Sequence, residues 1–191
     1  MQESQVKLSA RDLVLTGLSI ALITVGAYAR ITLFVVPFTL QLAFVMLIAL
    51  AFGHKVGFLS TSLYTVMGLL GIPIFSKGGG LGYIASPSFG YIMGFVACAF
   101  VIGYLAGPNK LSGTPASLLG KTFLVTLLGL LIVYTFGVSY WFLLEKIMIQ
   151  SGASLFEIAY KGAVLFVPKD LFLCLIVSMV GPKLQRIQRL S

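Results

Sequence analysis

The sequence predicts an all-α integral membrane protein with six transmembrane helices, and three observations carry that prediction. Of 191 residues, 59% are hydrophobic and only 9% are charged, where a soluble domain carries about 25% charged residues. The mean hydropathy is +1.05. The apolar residues fall into runs that approach or exceed the roughly 20 residues a helix needs to cross a bilayer. Glycine, proline and charged residues collect at the breaks between them.

The first span runs from Leu13 to about Ala29. It carries Gly17 and Ala21 four residues apart, followed by Gly26 and Ala27. Small residues at that spacing share one helix face and let another helix approach closely. They serve either internal packing or docking of a partner subunit. Pro37 then breaks the chain within Val36-Pro37-Phe38-Thr39-Leu40-Gln41. Thr39 either caps the next helix or reaches a ligand. Gln41 is harder to dismiss, because a buried amide needs hydrogen-bond partners. The second span, about Phe38 to Phe52, ends at Gly53-His54-Lys55, and the third runs from about Val56 to Leu70. Both are short, which predicts tilted helices or loops dipping into the protein.

From Gly71 to Tyr91 the hydrocarbon stops and the chain reads GIPIFSKGGGLGYIASPSFGY. Pro73 pushes Ile72 out of the helical region. Gly78, Gly79 and Gly80 bring bare backbone within reach of a ligand. Phe75, Tyr83 and Tyr91 offer flat faces, the tyrosines with a hydroxyl tip. The stretch is either a solvent or re-entrant loop, or a recognition loop that closes over a small-molecule site as a lid.

The fourth span covers about Phe89 to Ala106 and stops at Gly107-Pro108-Asn109-Lys110; the fifth covers about Ala116 to Leu144. Residues 145–161 form an amphipathic surface segment with Leu155, Phe156 and Ile158 turned inward. The sixth span, about Ala163 to Val180, contains Val167-Pro168-Lys169-Asp170 near its start. An ionisable residue at a span end is a functional candidate. Asp170 can also stabilise the helix as a first-turn acid, and the two roles are compatible.

With the N-terminus inside, inner segments hold Lys7, Arg11, Lys55, Lys110, Lys121, Lys183, Arg186 and Arg189, against Arg30, Lys77, Lys146, Lys161 and Lys169 outside. That bias places both termini in the cytoplasm. The glycine-rich loop between helices 3 and 4, Pro37 and Pro168 then share the outer face, where three irregular segments make a binding site. Residues 1–191 form a single membrane domain, and no cleavable signal peptide is expected. The net charge of +8 follows topology, so a lipid bilayer is the expected partner and nucleic acid is not. Cys98 and Cys174 lie in apolar runs and act as small hydrophobes. No P-loop, histidine pair or Cys-x-x-Cys is present. Neither ATP hydrolysis nor a metal or other cofactor is expected of this chain.

The joint pattern of Val36-Pro37-Phe38-Thr39-Leu40-Gln41, Gly71-Ile72-Pro73-Ile74-Phe75, Gly78-Gly79-Gly80, Pro87-Ser88-x-Gly90-Tyr91-x-x-Gly94-Phe95 and Pro168-x-Asp170 resembles the BioY family. These are biotin-binding S-components of energy-coupling factor (ECF) vitamin transporters. The resemblance covers nearly the whole chain. It implies a six-helix bundle that captures biotin at the outer face. Partners would be a membrane-embedded ECF coupling protein and two cytoplasmic ABC ATPases. Gly17 and Ala21 look like the family's docking face. The resemblance and the chemistry of biotin together point to Thr39, Gln41, Phe75, Gly79, Gly80, Tyr83, Ser88, Tyr91, Lys169 and Asp170 as substrate-binding. Two positions depart from the pattern. Phe89 replaces a small residue, and Leu173 stands where the family has a lysine, while Lys169 precedes the aspartate. An S-component for another small vitamin is the alternative; a membrane enzyme would need a catalytic constellation that the sequence lacks.

Overall fold

The computed structural model describes residues 9–31 and 36–190. Lys7, counted above, lies outside them, as do the side chains of Arg186 and Arg189. Five helical stretches are long and apolar enough to cross a membrane. They contain α1 (Ala10–Tyr28), α2 (Gln41–Leu69), α3 (Ser88–Ala106), α4 (Pro115–Leu144) and, in the last stretch, α5 (Leu155–Ala159) with α6 (Val167–Leu190).

Local chemistry starts the helices where the sequence allows. Ser9 and Asp12 form a reciprocal capping box at α1, with bonds of 3.1 and 3.0 Å. Thr114 caps α4 and Pro115 takes its first turn. Between α1 and α2 two short strands pair antiparallel, β1 (Arg30–Ile31) with β2 (Phe38–Thr39), and Arg30 faces Thr39. The sequence reading held no strands. Pro37 supplies the extended backbone that lets them form.

The break expected at Gly53-His54-Lys55 is a fold-back inside α2. Gly53 sits at φ +82 with its neighbours helical, a conformation only glycine adopts without strain. Residues 41–52 and 54–69 then pack on each other: a Cβ added at Gly57 would lie 3.3 Å from Ala49 Cα. In an unbroken helix those residues would stand about 12 Å apart.

Glycines also bring α3 against α4. A Cβ on Gly94 would come within 2.9 Å of Val133 Cα, and one on Gly129 within 2.9 Å of the Cys98 sulfur. At the bundle end away from β1 and β2, Gln185 Nε2 donates to Leu50 and Ala106 carbonyls at 2.7 and 2.8 Å. One amide thus satisfies the exposed carbonyls of two helix ends.

Two details correct the sequence reading. The segment 155–158 turns only Ile158 inward; Leu155 is 53% and Phe156 80% exposed. A π-helical turn over Tyr160–Val164 links α5 towards α6. The α5 helix is five residues long, too few for periodicity to fix its inward face. The last helix also extends to Leu190 rather than stopping near Val180.

Candidate functional site

At the end of the bundle that carries β1 and β2, a cavity opens between the start of α2, the start of α3, the middle of α4 and the start of α6. Its cavity volume is about 60 Å³. Pro37, Thr39, Gln41, Ser76, Ser88, Tyr91, Phe95, Val133, Tyr134, Gly162, Phe166, Lys169 and Asp170 are among its walls.

Asp170 is the electrostatic centre and is only 3% exposed. Tyr134 donates its hydroxyl to Asp170 Oδ2 at 2.6 Å. Lys169 Nζ stands 2.6 Å from Oδ1, yet that oxygen has no aligned hydrogen bond. The ammonium neutralises the carboxylate from the neighbouring residue without pointing an N–H along a lone pair. The same ammonium donates to the Thr39 carbonyl at 3.1 Å.

Gln41 Nε2 and Ser88 Oγ are likewise buried without a hydrogen-bond partner. The Gln41 amide lies against the Tyr64 hydroxyl and Ser88 against that of Tyr83, in contacts that are polar but poorly aligned. Such orphans are rare, because each carries the full cost of desolvation. Of the four such atoms among the described residues, Gln41 Nε2, Ser88 Oγ and the ion-paired Asp170 Oδ1 belong to residues of this cavity, while Ser19 Oγ lies on α1 away from it. That set matches a ligand head group bearing both N–H and C=O.

Tyr91 contributes its ring. Its hydroxyl is occupied, donating to the Gly162 carbonyl at 2.8 Å, and its ring lies where a Cβ on Gly137 would overlap it. Thr39, Gln41, Ser88, Tyr91, Lys169 and Asp170 therefore meet at the cavity. Phe75, Gly79, Gly80 and Tyr83 do not line it. Phe75 is fully buried, its ring filling the space over Gly68 and packing on Tyr83 and Tyr64 at 4.5 and 5.4 Å between centroids. Tyr83 shares a 3.1 Å hydrogen bond with Ser76, and burial raises its hydroxyl above the ordinary phenol range. Gly80 N–H donates to the Gly68 carbonyl at 2.7 Å, and a Cβ on Gly79 would overlap the Ile72 carbonyl.

Three tyrosines hold carbonyls of the glycine-rich stretch. Tyr28 donates to the Pro73 carbonyl, Tyr64 to Ile74 at 2.8 Å and Tyr140 to Ile84 at 2.6 Å. The sequence reading missed Tyr134, Ser76, Phe95 and Phe166 as wall residues. Tyr134 had one available signal: a phenol in the middle of an apolar span needs a partner for its hydroxyl.

Gly17 and Ala21 lie away from the cavity on the outward face of α1. A Cβ on Gly17 would meet nothing within 4 Å, and Ala21 is exposed. Among the described residues, no three His, Cys, Asp or Glu gather as metal ligands would.

The model of the BioY family matches residues 1–189 of this chain. A protein named probable biotin transporter BioY from Lysinibacillus sphaericus is 33% identical over 186 residues, covering 95% of this chain and 90% of that protein. The biotin transporter BioY of Rhizobium etli is 33% identical over 183 residues, covering 91% and 92%. That of Thermotoga maritima is 45% identical over 97 residues, covering 50% and 57%. A crystal structure of the S-component for biotin from an ECF-type ABC transporter superposes with a TM-score of 0.75 at 22% identity, over 99% of this chain and 95% of the other. That likeness shows the fold.

Proposed function

The chain belongs to the BioY family, and from that premise we propose that it is the biotin-binding subunit of an ECF-type ABC importer. It is a multi-pass cell-membrane protein and a transport subunit, not an enzyme. The observation that carries the reading is the cavity in which Gln41 Nε2 and Ser88 Oγ are buried without an aligned hydrogen bond beside the Lys169–Asp170 ion pair.

Biotin's ureido ring has two N–H donors and one carbonyl. Asp170 Oδ1 accepts one N–H, Ser88 Oγ accepts the other, and Gln41 Nε2 donates to the carbonyl. The faces of Tyr91 and Phe95 pack against the fused rings. Thr39 and Lys169 stand at the mouth, on the side of the carboxylate tail. Phe75, Gly79, Gly80 and Tyr83 act from behind, holding the wall that carries Ser76.

Residues 1–191 work as one membrane domain with six passes, the two halves of α2 counting separately. The fold-back at Gly53 supports that count. Both termini face the cytoplasm and the cavity faces outward, consistent with the lysine and arginine bias. A membrane-embedded coupling protein and two cytoplasmic ABC ATPases complete the importer, and ATP is hydrolysed there. The exposed small residues Gly17 and Ala21 form the docking face, where bare helix surface permits close approach.

Calorimetric titration of the purified protein with biotin tests the reading, with saturable one-site binding expected. Heat that never saturates, or release of a different vitamin on denaturation, would overturn it. The docking face has its own test. Gly17→Trp and Ala21→Trp should leave biotin binding in detergent unchanged and abolish uptake by the assembled importer. Loss of binding would place the face inside the bundle, and normal uptake with both tryptophans would remove the docking role.

A further inference from the structure

Resting on the biotin reading of the cavity, we propose that Lys169 is the residue that selects the ligand's free carboxylate. In the empty site it is a placeholder on Asp170, and it moves to the acid tail when the head group takes Oδ1.

The geometry gives Lys169 three weak holds rather than one strong one. Its ammonium lies 2.6 Å from Asp170 Oδ1 without an aligned bond. It donates to the Thr39 carbonyl at 3.1 Å. It also sits 5.7 and 6.0 Å from the rings of Phe38 and Phe166, which stack on each other at 4.1 Å. The Asp170 carboxylate is buried, and Lys169 is the cation beside it. A ligand N–H aimed at Oδ1 makes the aligned bond that Lys169 does not. The lysine side chain is 28% exposed and its four-carbon stem swings freely, so it can leave Oδ1 and still face the cavity mouth.

The surroundings favour an anion there. Arg30 is exposed opposite Thr39 in the strand pair, and Lys77 follows Ser76 of the cavity wall. Burial, and then the nearby Arg30, push the Lys77 ammonium below the ordinary lysine range. The other described acids of this end are engaged elsewhere. Glu145 accepts from Ser151 N–H and Oγ–H, both at 2.6 Å, and Glu157 pairs with Lys161. Among the described residues that line the cavity, Lys169 is the one cation and Asp170 the one carboxylate. A ligand ending in a carboxylate gains from that cation, and the same ligand ending in a neutral amide does not.

The test is the ratio of two affinities, for biotin and for its neutral carboxamide, measured by titration on the full chain. Taking the ratio cancels any effect of a substitution on the shared ring system. Wild type should prefer the acid by roughly tenfold or more, the value of a charge-assisted bond. In Lys169→Met the ratio should fall to near one, and in Lys169→Arg the preference for the acid should persist. Lys169→Met retaining the full preference would overturn the proposal, as would equal losses for both compounds with the ratio unchanged. Wild-type protein that binds neither compound would overturn the biotin reading itself, and the selector with it.

Discussion

Two regions at the same end of this bundle use similar residues to opposite effect. The loop 71–86 is rich in glycine, serine and tyrosine, and its polar groups are largely matched: tyrosines from three helices donate to its carbonyls, and Ser76 pairs with Tyr83. The cavity wall a few ångströms away leaves Gln41 and Ser88 each with a weakly matched buried atom beside the Lys169–Asp170 ion pair. The difference teaches that irregular backbone can be scaffold, while a ligand's place is marked by weakly matched polar atoms gathered on one cavity wall, which the isolated Ser19 Oγ on α1 is not. A satisfied loop holds its shape unaided, and the wall reaches the same state only when something binds.

Breaking the scaffold should give the largest effect. Phe75 is fully buried between Gly68, Tyr64 and Tyr83, and its truncation opens a cavity that the glycine-rich loop cannot refill. Phe75→Ala should cost about 3–5 kcal/mol of stability, read as a lowered thermal midpoint of the purified protein. Protein that does fold at low temperature should still bind biotin. A normal midpoint would show that the loop is not held by this side chain.

Asp170→Asn probes the wall instead, and the predicted loss moves from stability to binding. The side chain keeps its shape and Tyr134 can still donate to it, so the thermal midpoint should change little. A hydrogen bond to a charged partner is worth about 1.5–3 kcal/mol, so biotin affinity should fall about tenfold or more. An unchanged affinity would take Asp170 out of the site.

How much of this was legible follows the same division. Gly53-His54-Lys55 announced the fold-back of α2, because a glycine and two polar residues interrupt hydrocarbon. Gln41 and Asp170 stood out as polar groups at the ends of apolar spans, Ser88 came from the family resemblance, and all three reach the cavity. Phe75 was ambiguous, since an aromatic in a glycine-rich stretch fits a ligand face or a notch equally well. The notch is Gly68, and nothing along the chain pairs the two. Tyr134 was missed because one tyrosine does not interrupt an apolar run, and only its hydroxyl's need for a partner could have marked it. Leu155 and Phe156 face outward while Ile158 of the same short helix is buried, and five residues are too few for periodicity to fix the inward face.

The smallest expected effect gives the sharpest version of the comparison, because it deletes one hydroxyl from each region. Ser88 is 5% exposed with an unpartnered Oγ, and Tyr64 is 1% exposed with its hydroxyl on the Ile74 carbonyl at 2.8 Å. A buried hydroxyl without a partner costs free energy, so its removal should help the empty protein. Ser88→Ala should raise the thermal midpoint of the ligand-free protein while weakening biotin by about 1 kcal/mol, a factor of roughly five. Tyr64→Phe should do the reverse: it strands the Ile74 carbonyl, lowers the midpoint by a comparable free energy of about 1 kcal/mol, and leaves the intrinsic affinity near its original value. The signs carry the argument more than the sizes. If both variants lowered the midpoint of the empty protein, Ser88 would have a partner in the ligand-free state. The wall would then be as self-sufficient as the loop, and the contrast between the two regions would no longer locate the site.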